Sequence, residues 1–376
     1  MKIKKCLSLI LISAMAISLS ACGGSKNNSS KSSSAETGGT GSAGNSSTGN
    51  SSAGNQDAGS GSGGADGGIS GEAVTLDLVT GSTGTSWYSY GATFADVLPR
   101  GLPSGSMINA VAEGGATSNP IQVANGTYQL GIGYNLSDKW AFNGESLYTE
   151  PYDNLRGIAG YLDTFYYIAV VRSDAGWTDL ADVAANHTPI NISVLPAGNM
   201  GNIVASMIFD YYGMTFDDII SWGGKVEYAD WGTSVENLKD GRTDFICHNI
   251  TQGHAAVTEL ASTVDMTFIQ FPQDMIDTFV GEKGFSPETL PAGCFKGQDT
   301  DIRTFGVTST LFCTADLPDD VAYGIARALC ENVEDVKAGH TALQRFTVES
   351  ASDPAGMGMP IHPGAEKYYR EAGLLE

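Results

Sequence analysis

Beyond residue 72, short β-branched apolar runs alternate with stretches whose apolar positions recur at helical spacing. The run at 74–80 ends in Gly81-Ser82-Thr83-Gly84, after which Trp87, Tyr90, Phe94 and Leu98 mark one face of a helix over 86–98. This reads as strand, glycine-rich turn, helix. The same patterns predict strands at 107–112, 129–134, 155–161, 165–172, 191–195, 226–228, 243–248, 268–271 and 304–313. Helices are expected at 118–123, 179–184, 202–212, 234–238, 319–333 and 365–371. In 202–212 the inward face is Ile203, Met207, Ile208 and Tyr211; in 319–333 it is Val321, Ile325, Ala328 and Leu329. Alternation of this kind predicts an α/β chain with mixed or mostly parallel sheets.

The first 72 residues follow a different pattern. Lys2, Lys4 and Lys5 precede an apolar stretch at 7–19, only about half a bilayer span long, and Leu19-Ser20-Ala21-Cys22 follows. Residues 1–21 therefore read as an export signal. Small residues immediately before a cysteine resemble the bacterial lipobox, which implies cleavage before Cys22 and lipidation at that residue; a plain signal peptide cut nearby is the alternative. From 22 to 72 the chain is dominated by Gly, Ser, Asn and Thr, with Ile69 as its one large aliphatic residue. No core can form from it, and it reads as a flexible tether with a root-mean-square span of about 40 Å. Roughly 300 residues remain for the body, which suits two lobes.

Charge narrows the function classes. The chain has 42 acidic and 20 basic residues, a net charge of −22, and three of its lysines lie in the signal. No basic patch is visible, so nucleic acid is not an expected partner. Catalytic motifs are absent from the sequence: there is no GxSxG, HExxH or phosphate-binding P-loop, and Gly84-Thr85-Ser86 misses the nucleophile-elbow pattern. Cys247 and His248 are neighbours on an expected strand and so point to opposite faces, which excludes a nucleophile–base pair. Cys247, Cys294, Cys313 and Cys330 show no CxxC or metal-ligand spacing. Their apolar settings suit buried thiols and export suits disulfides, and both stay open. No catalytic residue, metal or cofactor is expected.

Five segments carry a family resemblance. Thr80-Gly81-Ser82-Thr83-Gly84-Thr85-Ser86-Trp87-Tyr88-Ser89-Tyr90-Gly91 resembles the first loop of the TAXI family of solute receptors, which serve tripartite ATP-independent periplasmic (TRAP) transporters. Leu155-Arg156-Gly157-Ile158-Ala159, Val171-Arg172-Ser173-Asp174-Ala175-Gly176 and Asp240-Gly241-Arg242-Thr243-Asp244 are similar to further family segments, in the same order. Pro291-Ala292-Gly293-Cys294-Phe295-Lys296-Gly297-Gln298-Asp299 and Pro360-Ile361-His362-Pro363-Gly364-Ala365-Glu366-Lys367-Tyr368-Tyr369 extend the match to the C-terminal region.

The resemblance implies a two-lobed periplasmic-binding-protein-like fold of type II with the ligand cleft between lobes. Lobe one is expected at 73–165 and 270–376, and lobe two at 166–269. The implied function is capture of a small-molecule solute bearing a carboxylate, such as a dicarboxylate, a 2-oxoacid or an amino acid like glutamate, and delivery to a membrane permease subunit. The implied location is outside the cytoplasm, lipid-anchored to the outer face of the cell membrane, or periplasmic. A lipoprotein of the same fold that presents its solute to a signalling kinase is the alternative.

Candidate ligand contacts follow from strand ends, because in open α/β sheets ligands sit where strands lead into helices. In the first loop Gly84 lets the backbone approach a ligand while Thr83, Thr85 and Ser86 offer hydroxyls. Gly198, Asn199, Met200, Gly201 and Asn202 form the equivalent loop of the second lobe. Two helix N-termini would then supply positive potential without a lysine. The resemblance also places Trp87 and Tyr88, Tyr134 and Asn135, Trp231, and Asn249 with Thr251 in the cleft. The family commonly has Gln-Ser where this chain has Tyr134-Asn135, a departure that favours an amino acid, an amide or a longer acid over glutamate itself. Among arginines, Arg156 and Arg172 fall at strand positions that match the family; Arg172 either reaches the cleft or pairs with Asp174 or Asp179, and Arg242 is expected at the surface.

Overall fold

The computed structural model describes residues 71–83 and 85–376. The expected signal, the lipidation site Cys22, nearly all of the tether and Gly84 lie outside the described residues.

The chain begins with β1 (Thr75–Val79), α1 (Ser86–Val97), β2 (Met107–Val111), α2 (Asn119–Ala124), β3 (Leu130–Tyr134), α3 (Asn135–Asn143) and β4 (Leu155–Ala159). There follow β5 (Thr164–Arg172), α4 (Leu180–Asn186), β6 (Asn191–Val194), α5 (Met200–Tyr211), α6 (Phe216–Ser221), β7 (Lys225–Tyr228), α7 (Trp231–Lys239), β8 (Phe245–Ile250), α8 (Ala255–Thr263), β9 (Met266–Ile269), α9 (Gln273–Lys283) and β10 (Ser286–Leu290). The long β11 (Ile302–Thr314) leads into α10 (Asp319–Glu331), α11 (Val333–Gly339), α12 (Val348–Ala351) and α13 (Pro363–Glu371). Among the described residues no helix is long and apolar enough to cross a membrane.

Two sheet halves share one topology. In the first, β1 pairs in parallel with β2 and β3, and β3 pairs antiparallel with β11, giving the order β2-β1-β3-β11. In the second, β6 pairs in parallel with β7 and β8, and β8 pairs antiparallel with β5, giving β7-β6-β8-β5. A strand added antiparallel at the same place in each half makes this the two-lobed, type II α/β arrangement.

β11 belongs to both halves. Its early part pairs with β10 and β5, down to Thr308 opposite Thr164, and from Ser309 opposite Tyr134 onwards it pairs with β3. The other passage is residues 160–163, between β4 and β5. The passages are bonded to each other: Leu162 N–H donates to the Ser309 carbonyl at 3.0 Å and Ser309 N–H to the Asp163 carbonyl at 3.2 Å. Residues 160–163 are also clamped from outside. Tyr161 has φ of 49°, and a Cβ on Gly356 would stand 2.3 Å from its ring, so only glycine fits opposite it.

The apolar face of α10 packs as its spacing predicts, whereas α5 turns Val204, Ala205, Ile208 and Phe209 into the core and leaves the expected Ile203, Met207 and Tyr211 half-buried. Val321, Ile325, Ala328 and Leu329 of α10 are buried, and Phe305 of β11 gathers Phe279, Phe285, Phe271 and Tyr167 at centroid separations of 4.3–5.5 Å. Cys247, Cys294, Cys313 and Cys330 are free thiols, which decides between the two alternatives left by the sequence.

Candidate ligand-binding site

Most sequence-predicted residues cluster where strand ends of the two halves meet. Trp87, in the first turn of α1, is buried and donates its indole N–H to Ser309 Oγ at 2.9 Å, directly at the β11 passage. Its ring lies 4.6 Å from that of Tyr134, at the end of β3, and Tyr134 lies 4.9 Å from Phe165 of β5. The Tyr134 hydroxyl accepts from Asn249 Nδ2, at the end of β8, at 2.8 Å. This bond joins one half to the other. Asn135 Oδ1 accepts from the Thr308 backbone N–H at 3.1 Å, so the first residue of α3 is also tied to the passage.

The second loop approaches the first half through its backbone. Gly198, with φ of 85°, accepts at its carbonyl from Thr117 Oγ1 at 2.9 Å, a second bond between halves. Asn199 caps α5 by accepting from the Gly201 N–H at 2.9 Å, so Met200, Gly201 and Asn202 are helical and not part of a turn before residue 202. Asn202 Nδ2 donates to the Leu195 carbonyl at 2.9 Å, and Met200 is buried. A Cβ on Gly201 would lie 3.2 Å from Asn249 Oδ1 and 3.4 Å from His248 Nδ1, which places the first turn of α5 against the end of β8.

Other predicted residues stand apart from this cluster. Thr83 and Thr85 are exposed, Ser86 is half-buried and Tyr88 is exposed. The Thr85 hydroxyl is engaged within its own loop, donating to the Ser82 carbonyl at 2.8 Å and accepting from the Tyr88 N–H at 3.3 Å as the N-cap of α1. Trp231 opens α7, three residues before the helix expected from 234, because Asp230 caps it by accepting from the Thr233 N–H. Its ring lies 4.4 Å from His248 and 4.6 Å from His254. Thr251 is buried just beyond β8.

No arginine considered from the sequence reaches the aromatic cluster. Arg172 grips Asp174 with contacts of 2.9 and 2.7 Å and also donates to the Leu238 carbonyl. Arg156 donates to the carbonyls of Asp153 and Leu155, and Arg242 pairs with Asp240 at 2.9 Å. The acidic group within the 160–163 passage is Asp163, 1% exposed, whose carboxylate accepts from the Tyr90 hydroxyl at 2.9 Å. Burial pushes its pKa up to about 7, against the pull of hydrogen bonds from Ser309 and Tyr90. Burial also drives His248 down to about 3, helped by its neighbour His254, and His254 down to about 4. Among the described residues no group of His, Cys, Asp and Glu is arranged to hold a metal.

Sequence reasoning missed Phe165, Asp163, Thr308, Ser309, Thr117 and His248. The signal for Thr308 and Ser309 was present, as polar residues interrupting the apolar run of β11, whereas His248 was weighed only as a base beside Cys247.

A profile described as the NMT1-like family matches residues 78–373. Similar solved structures include the periplasmic binding protein BugD, 13% identical over 80% of this chain and 98% of that one, with a TM-score of 0.46. A TctC solute-binding protein from Polaromonas is 17% identical over 80% of this chain and 98% of its own, at a TM-score of 0.48. MatC from Rhodopseudomonas palustris with bound malate is 14% identical over 80% and 99%, at a TM-score of 0.48.

Proposed function

We infer, for a chain that belongs to the NMT1-like family, that it is an exported solute receptor which closes on a small carboxylate-bearing metabolite. It delivers this solute to the membrane permease subunit of a TAXI-type TRAP transporter, held at the outer face of the membrane by the lipid on Cys22. It uses no catalytic residue, metal or cofactor.

The observation that carries this reading is the pair of bonds between the halves, Tyr134 with Asn249 and Thr117 with Gly198. Both lie where strands end and helices begin, the part of an open α/β sheet that receives ligands. Contacts of this kind form only when the halves meet, so a solute touching both sides selects the closed form. The aromatic walls of Trp87, Tyr134 and Phe165 give the solute's carbon skeleton an apolar surface. With the arginines engaged elsewhere, a carboxylate is met by helix N-termini and neutral donors.

A thermal-shift screen over dicarboxylates, 2-oxoacids and amino acids tests it. A true ligand at about a hundred times its Kd adds about 2.7 kcal/mol of stability, a shift of a few degrees. If no carboxylate moves the melting temperature, the proposed solute class is wrong.

A further inference from the structure

We propose that His248, His254 and Trp231 form the corner that receives the solute's carboxylate, and that one of the imidazoles takes up a proton from solvent as it binds. The proposal rests on the receptor reading above and deepens it.

Three helices begin at this corner. The first turn of α5 reaches it at Gly201, α7 starts with Trp231, and His254 is the residue from which α8 departs. Each N-terminus brings main-chain N–H groups and the positive end of a helix dipole. Set among them is His248, 1% exposed, with neither ring nitrogen hydrogen-bonded, and Nδ1 of His254 is likewise buried without a partner. An imidazole held only for packing would be expected to find a partner for its N–H, since an unmade hydrogen bond at a buried polar atom is costly. Trp231 lies against both imidazoles, tilted by 51° to His248 and 38° to His254.

The charge around the corner determines what it accepts. The first turn of α5 carries no ionisable side chain; α7 brings Asp230, already engaged with the Thr233 N–H; α8 brings His254; and His248's neighbours on β8 are Cys247 and Asn249. With His248 and His254 held to about 3 and 4, both are neutral near pH 7. A carboxylate placed against them stabilises the imidazolium, so the proton moves from solvent to a ring nitrogen and the complex holds one more than the free protein. The sign follows: affinity rises as pH falls, up to about tenfold per pH unit while the pH lies between the free and bound pKa values of the pair.

Titration calorimetry of the exported protein with L-glutamate, 2-oxoglutarate and succinate, in two buffers of different ionisation enthalpy near neutral pH, measures the proton directly and needs no variant. The expected result is net uptake with any probe that binds, and tighter binding about one pH unit lower. His248→Phe should lose the uptake and about tenfold or more in affinity, while its ligand-free melting temperature stays level or rises, because an unpartnered imidazole has been removed. His248→Gln, which keeps polar atoms but cannot titrate, should lose the uptake, the pH dependence and about tenfold in affinity one pH unit lower, and serves if the Phe variant proves insoluble. Binding without proton uptake, with either variant within about twofold of wild type, overturns the corner and leaves the receptor reading standing. Failure of all the carboxylates to bind overturns both.

Discussion

Asp163 ties the stability of the passage to pH. Its carboxylate sits in the passage between the halves, bonded to Tyr90, and its pKa is raised to about 7 by burial. The unfolded chain releases that proton near the ordinary aspartate value, so between about pH 4 and about pH 7 the folded state holds a proton the unfolded state has lost. Stability contributed by the protonated form is therefore complete below this window and falls as pH rises through it. Asp163→Asn has nothing to release and still accepts from Tyr90, so its melting temperature should vary less with pH over the same window, as calorimetric scans would show. A slope identical to wild type would mean that the carboxylate is ionised where it lies. His248 acts with the opposite sign. Its depressed pKa gives stability that is present above about pH 6.5 and is lost as pH falls towards about 3.

Thr85 tests an element and a site residue together. As N-cap of α1 it holds the Tyr88 N–H, and Thr85→Ala should cost about 1 kcal/mol in urea unfolding while leaving solute affinity near wild type. A drop in affinity of about tenfold with unchanged stability would assign the hydroxyl to the solute instead. Elements with their own apolar period were legible: α1, α10 and β11 appear within a few residues of the sequence expectation because burial selects the same face that spacing marks. Those without it were not. α3 starts straight from β3 with no side-chain cap and has a mixed face, while α8 and α9 begin at His254 and Pro272, neither of which caps with a side chain. Tyr134 and Asn249 could be read as strand ends, but their mutual bond spans 115 residues, and no local pattern encodes which distant strand ends meet. Likewise, the sequence marks 304–313 as a strand without showing that it serves two sheets.

At the scale of the whole molecule, a body within a chain of net charge −22 is asked to hold an anion. Surface carboxylates beyond about 8 Å are screened at physiological salt, so the balance is decided inside the cleft, by how often it closes and what donors closure assembles. The Tyr134–Asn249 bond joins the halves through protein atoms alone, so part of the closing energy resides in the protein itself. Tyr134→Phe keeps the tilted and edge-to-face ring contacts with Trp87 and Phe165 but leaves Asn249 Nδ2 without its acceptor, a loss of about 1 kcal/mol that falls on the closed form alone. The ligand-free ensemble should then open. Small-angle scattering is expected to give a larger radius of gyration for ligand-free Tyr134→Phe than for ligand-free wild type, with the two converging once a bound carboxylate draws the halves together. Affinity should fall about five-fold, since a smaller fraction of molecules is ready to bind. Equal radii in all four samples would make the bond part of a rigid body, and the solute would then enter a pocket that needs no closure.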